Sequence, residues 1–199
     1  MHRIHIIEDF ISKEDAETLI KEQNFPSSVN PYPDYYKERF GGTSLPYNPV
    51  VMNILKKYSD LSNKVHKDIN GFVNPIYTFK SFGSHWVPGT KGGLHLDAQD
   101  PEPFIEFSTV IYLNDEFEGG HIFFPNQNFE YKPKKYSAVF FPSAGSEYIH
   151  GITTVTSGHR YTALYMHTSL PQHADPEFAT NKELYPNDWK AVQHELTNI

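Results

Sequence analysis

His150-Gly151-Ile152-Thr153-Thr154-Val155-Thr156-Ser157-Gly158-His159-Arg160-Tyr161 is the stretch on which the fold turns. The β-branched run from Ile152 to Thr156 suits a pleated, half-buried surface better than a helix, and Ser157-Gly158 punctuates it where a chain can reverse. Taken as two strands joined by a turn at Ser157-Gly158, it sets His150 and Arg160 on adjacent strands, both aimed inward. A neutral imidazole there can ligate a metal, and the planar fork of a guanidinium can grip a carboxylate.

Working outward, runs rich in aromatic and β-branched residues recur at 75–82, 104–113, 121–125, 137–142, 149–156 and 160–168, separated by Gly, Pro and Asn. That spacing predicts an all-β sandwich or barrel. The first third differs. Ser12 is placed to cap a helix running to about residue 24, and Asn48-Pro49 opens a second that ends near Asn70-Gly71. Together these predict a mainly β fold braced by N-terminal helices. Residues 26–48, rich in Pro, Tyr and Gly without periodicity, are expected to be a long surface loop. After Leu170 the chain turns polar and ends in a weak helix from about Asp188 to Leu196. One domain over 1–199 is expected, with 1–71 as helical support and loop, 72–170 as β core and 171–199 as tail.

Composition narrows the chemistry. At 199 residues and 38% hydrophobic, the chain can bury one full core unaided. It has no cysteine, which excludes disulfides, thiolate zinc sites and Cys-ligated clusters, so a metal here must be held by nitrogen and oxygen; 11 histidines supply the nitrogen. A net charge of -7 opposes phosphate backbones, so no nucleic-acid partner is expected. The N-terminus has no signal-peptide pattern and no stretch approaches the roughly 20 apolar residues of a membrane helix. We therefore expect a soluble, cytoplasmic protein without a membrane partner.

His95-Leu96-Asp97 follows Lys91-Gly92-Gly93 at an expected strand onset, where the two-residue repeat turns both side chains to one face. Two imidazoles and one carboxylate can occupy a triangular face of an octahedral iron and leave three positions open. His150 is the further histidine this needs. Two other His-x-Asp pairs do not qualify: His66 and Asp68 fall in the second expected helix, facing nearly opposite ways, and His173 and Asp175 lie beyond the last strand. His121, His159 and His167 form no two-residue chelate with a carboxylate and are read as structural or exposed.

With these residues in place, the sequence resembles the Fe(II)/2-oxoglutarate dioxygenases, in their prolyl 4-hydroxylase-like branch. The likeness spans roughly 76–167. It is carried by Gly93-Leu94-His95-Leu96-Asp97, by Tyr112-Leu113-Asn114-Asp115 followed by Glu118-Gly119-Gly120, by Phe141-Pro142 and by the 150–160 segment. It implies a double-stranded β-helix, a cupin-like jelly roll. It also implies Fe(II) bound by His95, Asp97 and His150, the distal carboxylate of 2-oxoglutarate bound by Arg160, and Tyr112 touching that carboxylate. Dioxygen would be the other co-substrate, and ascorbate a stimulant. Two departures stand out. Arg160 occupies a position where collagen-type relatives usually have Lys. Phe82 stands about where relatives often carry a co-substrate-binding tyrosine, and Tyr77 is the candidate to replace it.

The activity so implied is oxidative decarboxylation of 2-oxoglutarate to succinate, coupled to hydroxylation of a prolyl residue in a peptide or protein. Hydroxylation of a free amino acid or another side chain is the alternative within the same chemistry. Tyr32, Tyr35, Tyr36 and Tyr47, with Arg39 and Trp86, form either a substrate lid or a loop folded on its own aromatics. A non-catalytic cupin-like metal-binding module is the reading from another class. It is opposed by Asp97-Ala98-Gln99 in place of a His-x-His pair with a following Glu, and by Arg160, which a structural site would not require. A nucleic-acid demethylase is opposed by Met166, which stands where a second arginine would be.

Overall fold

The computed structural model describes residues 4–23 and 49–178. Helix α1 (Lys13–Gln23) starts where Ser12 Oγ accepts the Asp15 N–H at 3.2 Å and its carbonyl accepts the Ala16 N–H at 3.0 Å. Helix α2 (Pro49–Ile69) opens on a proline, whose missing donor costs nothing in a first turn. It closes at Gly71, where a φ of +66° lets the Phe72 N–H reach back to the Lys67 carbonyl at 2.9 Å. Both helix boundaries fall close to the expected ones. The expected loop tyrosines and Arg39, and the helix expected after residue 188, lie outside the described residues.

Among the described residues eleven strands form two main sheets and a two-stranded β5–β10 ladder: β1 (His5–Ile7), β2 (Tyr77–Trp86), β3 (Gly92–His95), β4 (Phe107–Tyr112), β5 (Phe117–Glu118), β6 (Ile122–Phe124), β7 (Phe129–Tyr131), β8 (Ala138–Pro142), β9 (His150–Ile152), β10 (Ser157–Gly158) and β11 (Arg160–Thr168). The larger sheet has the order β1-β8-β4-β11-β2 and the smaller β3-β9-β6-β7, with every pairing antiparallel. Between the sheets, Val110, Tyr112, Val139 and Phe141 meet Ile122, Phe124 and Ile152 in one buried cluster. On its other face the larger sheet packs Ile111, Phe140, Ala163 and Tyr165 against Leu19, Val51, Leu55, Tyr58 and Val65 of the helices. Each fully buried aliphatic of this kind is worth about 1.5–3 kcal/mol over leaving it in water. Strand β4 is buried on both faces. This is the jelly roll expected from the sequence, with helices on one side.

Two local expectations need correction. Ser157-Gly158 is not a turn between adjacent strands: as β10 it pairs with β5, Ser157 opposite Glu118 and Gly158 opposite Phe117. The segment before it bonds to three different stretches, through the Thr153 N–H to His121, Val155 N–H to Thr90 and Thr156 N–H to Glu118, so it crosses between sheets and cannot be a hairpin arm. His150 therefore sits in the smaller sheet and Arg160 in the larger, facing each other across the interior. The second correction concerns β3, which ends at His95 instead of beginning there, so Asp97 is delivered by the bend beyond it.

A bulge in β2 decides which of its side chains reach the interior. Lys80 pairs with Met166 but Thr78 pairs with His167, leaving Phe79 unmatched. Thr78 is thereby turned to α2, where its hydroxyl meets Ser59 Oγ at 2.6 Å, while Lys80 and the alternate residues after it face the interior. Among the described residues no helix is long and apolar enough to cross a membrane.

Candidate metal centre and its pocket

The β3–β9 pairing puts His95 directly opposite His150, their ring centroids 4.3 Å apart. Asp97 comes to the same point from the bend, held by the Ala98 N–H bond to the Ser143 carbonyl at 3.2 Å. His95 Nε2 lies 3.4 Å and His150 Nε2 4.0 Å from Asp97 Oδ1. Metal–ligand bonds of about 2.0–2.2 Å call for donor separations of roughly 3–4 Å around one first-row ion. This is the one such cluster of three among the described residues.

Each donor is oriented from behind. His95 Nδ1 lies 2.8 Å from the Gly93 carbonyl and His150 Nδ1 lies 3.1 Å from the Tyr148 carbonyl. A carbonyl can only accept, so both Nδ1 atoms carry the proton and both Nε2 lone pairs are left for the centre. Asp97 Oδ2 accepts from Ser108 Oγ at 2.5 Å, Ser108 Oγ is 2.7 Å from Ser143 Oγ, and Oδ1 is left facing the imidazoles.

The electrostatics agree with a ligating set. Burial pushes the Asp97 carboxyl up, but the bond from His95, the His150 charge and the Ser108 hydroxyl outweigh it and hold it below its ordinary value. Burial also depresses His150, against the pull of Asp97, which favours its neutral form. For His95, burial works downward while the Asp97 bond and charge and the Gly93 carbonyl work upward and prevail. The His95 side chain is 36% exposed and that of His150 6%, so the centre is reached from the His95 side.

The three side chains share a cavity of about 630 Å³ with Arg160. Arg160 is 2% exposed, its Nε donates to the Gly120 carbonyl at 3.1 Å, and its guanidinium carbon is 5.0 Å from the Tyr112 ring centroid. Burial lowers its pKa, and Tyr112 opposes the shift. Among the described residues no carboxylate pairs with it, and the buried Tyr112 hydroxyl, which faces the guanidinium as an acceptor, has no acceptor for its own proton. A buried cation without a counter-ion is costly, and a ligand carboxylate would supply what the protein withholds. The donors present therefore fit both groups: a nitrogen–oxygen metal site and an anion-shaped pocket end.

Two expected residues are elsewhere. Tyr77 is not at the cavity: it opens β2, paired with Thr168, while the pocket is walled by the later half of that strand, including Phe82 and Ser84. Trp86 is not part of an outer lid: it is 6% exposed and stands opposite Arg160 at the pocket's deep end. Tyr36 and Arg39 lie outside the described residues. His121, His159 and His167 are bound up with Glu130, His85 and Thr109 respectively, away from the centre. Sequence reasoning missed Ser108 and Ser143, and marked Gly120 only as part of a motif, without its contact to Arg160. A signal for Ser108 existed, since it is a polar residue on the face of β4 that otherwise carries Val110 and Tyr112.

Residues 81–167 match the family model of the 2OG-Fe(II) oxygenase superfamily. In sequence, the chain is 34% identical over 132 residues to prolyl 3-hydroxylase 3 of Mus musculus, covering 63% of this chain and 15% of that protein. It is 41% identical over 63 residues to a putative prolyl 4-hydroxylase of Acanthamoeba polyphaga mimivirus, covering 28% of this chain and 26% of that one. The chain thus spans only a fraction of the length of these curated relatives. In structure, it resembles the viral collagen prolyl hydroxylase of Paramecium Bursaria Chlorella virus-1, solved as a 2OG complex, with a TM-score of 0.61 at 19% identity over 84% of this chain and 96% of that one. A Pseudomonas putida prolyl-4-hydroxylase gives 0.64 at 17% identity over 84% and 93%. These likenesses show the jelly-roll fold.

Proposed function

We propose that the chain is a 2OG-Fe(II) oxygenase, on the match of residues 81–167 to that family model, and that it hydroxylates a prolyl residue in a peptide or protein. In this reading His95, Asp97 and His150 hold Fe(II), and Arg160 and Tyr112 hold the distal carboxylate of 2-oxoglutarate. The whole chain is one domain, and the cytoplasmic setting expected from the sequence stays part of the proposal. The observation that carries it is a pair of imidazoles and a carboxylate with free donor atoms converging in the same cavity as a buried guanidinium that has no counter-ion. The prolyl substrate is supported by relatives named for both the 3- and the 4-hydroxylation of proline.

Iron bound here, with 2-oxoglutarate and dioxygen, supplies the decarboxylation to succinate and carbon dioxide and the insertion of one oxygen atom into a substrate C–H bond. The protein's share is positional. Ser108 and the two backbone carbonyls set the ligand directions, and Arg160 fixes the far end of the co-substrate. Trp86, Ile122 and Ile152 keep water from the deep wall.

The test is anaerobic titration of the wild-type protein with Fe(II) and 2-oxoglutarate, followed in air by succinate assay and mass spectrometry on proline-containing peptides. We expect binding of both, and peptides heavier by one oxygen whose hydrolysate distinguishes 3- from 4-hydroxyproline. Asp97→Ala should abolish iron binding. Arg160→Ala should weaken 2-oxoglutarate roughly tenfold to 150-fold, the equivalent of a charge-assisted contact of about 1.5–3 kcal/mol. Wild-type protein that binds iron but shows no affinity for 2-oxoglutarate would contradict the reading.

A further inference from the structure

Trp86 is the last residue of β2 and pairs directly with Arg160, the first of β11. The Arg160 guanidinium carbon is 5.1 Å from its ring centroid. The ring is buried and lines the same cavity as the metal centre. Strand β3 packs closely on it: a Cβ on Gly92 would fall 3.1 Å from Trp86 Cη2 and 3.1 Å from Ile152 Cγ1, so either neighbour would have to give way to a side chain there.

The indole Nε1–H is the anomaly. It is buried and meets no acceptor, as does the nearby Tyr112 hydroxyl. An unmet buried donor costs about 1–3 kcal/mol, and native proteins tolerate few of them without a purpose. Here both belong to rings whose centroids lie 5.1 and 5.0 Å from the carbon of one buried guanidinium, which itself donates to the Gly120 carbonyl. Donors are in excess and acceptors are lacking. A carboxylate offers about four lone-pair sites, enough for the arginine fork, a phenol and an indole together.

We propose that Trp86 is a co-substrate-binding residue, donating its Nε1–H to the distal carboxylate of the 2-oxo diacid as a third donor beside Arg160 and Tyr112. The inference rests on the proposed 2-oxoglutarate site and deepens it. A tryptophan that merely packs would need no ligand acceptor and would treat all 2-oxo acids alike. One that donates to the distal carboxylate must discriminate by that group.

The chain has two tryptophans, so a Trp189→Phe background leaves Trp86 as its single indole. Mn(II)-loaded protein, which does not turn over, is titrated with 2-oxoglutarate and with 2-oxobutyrate, an analogue lacking the distal carboxylate, by calorimetry and by indole emission. We expect 2-oxoglutarate to change the Trp86 emission. In Trp86→Phe its Kd should rise about tenfold, while those for 2-oxobutyrate and Mn(II) stay within about twofold. Should Trp86→Phe fold poorly, biosynthetic replacement of the indole by benzothiophene keeps the ring shape, puts sulfur in place of the N–H, and should give the same selective loss. Equal affinities in variant and parent, or equal weakening of both acids, overturns the proposal. If the parent itself binds Mn(II) but no 2-oxoglutarate, the co-substrate reading falls first and this one with it.

Discussion

Ser108 carries more of the centre than its size suggests. Its hydroxyl donates to Asp97 Oδ2 and, with Ser143, fixes which carboxylate oxygen faces the imidazoles. Groups that orient a metal ligand typically change affinity 10–100-fold when removed. We therefore expect Ser108→Ala to weaken Mn(II) or Co(II) binding by about that factor in a competitive titration while leaving the thermal unfolding midpoint nearly unchanged. Such a residue shows how legibility works at this scale. His95, Asp97, His150 and Arg160 could be picked out because their chemistry is rare in a strand. A serine facing an apolar interior carries no mark of what it bonds to until the fold brings Asp97 within 2.5 Å. Tyr77 and Trp86 make the complementary point: both are aromatic, both lie on β2, and only register tells which one reaches the pocket.

At the level of elements, the turn after β5 is the most constrained piece of backbone around the pocket. Gly119 and Gly120 have φ of +72° and +66°, and a Cβ at Gly120 would lie 2.9 Å from Arg160 Cδ and 3.1 Å from Phe117 Cε2. The same Gly120 presents its carbonyl to Arg160 Nε. Gly120→Ala should thus cost about 1–3 kcal/mol of stability from the left-handed backbone alone. It should also displace the arginine, raising the 2-oxoglutarate Kd, with both effects visible in one ligand-dependent melting series. A variant with unchanged affinity would mean that the arginine accommodates the methyl without moving. Strands β4 and β11 are readable because their aromatic and β-branched runs exceed any turn signal, whereas β2, expected over 75–82, runs on through Gly83 to Trp86 because its pairing with β11 continues there. Strands of two or three residues, such as β1, β5, β7 and β10, are too short to show a period. Nor could local pattern reveal that β9 and β11 belong to opposite sheets, since both carry the same composition and the crossing is decided by hydrogen bonds to residues 90, 118 and 121.

Across the whole molecule, acid sensitivity should come from the core. His167 is fully buried and burial lowers its pKa from 6.5 to about 3; His66 is held well below its ordinary value by burial and by repulsion from His167 and His5. Both rings meet Thr109 Oγ1 at 2.9 Å, and His167 Nδ1 meets Asn63 Oδ1 at 2.9 Å. Unfolding returns each imidazole to a value near 6.5. Between about 6.5 and 3 the unfolded chain therefore binds protons the native one refuses, and stability falls as pH drops through that window, with no contribution above it. Asp60, raised by burial to about 6, works in the opposite sense below that pH, but equally in any His167 variant. We expect His167→Gln to lose less stability than the parent between about pH 7 and pH 5 in urea titrations, whatever its starting stability. Identical slopes would remove His167 from the account.

Ser108 and Thr109 are neighbours on β4, and each is fastened on a different side, one to the carboxylate of the centre and one to the imidazoles of His66 on α2 and His167 on β11. A single peptide unit is thus the common datum from which two bodies of structure are measured. Wear on the outer scaffold, such as a shifted α2 or a lost ring beneath it, would surface inside as a misaligned carboxylate, much as a loosened workbench spoils the cut made on its other side.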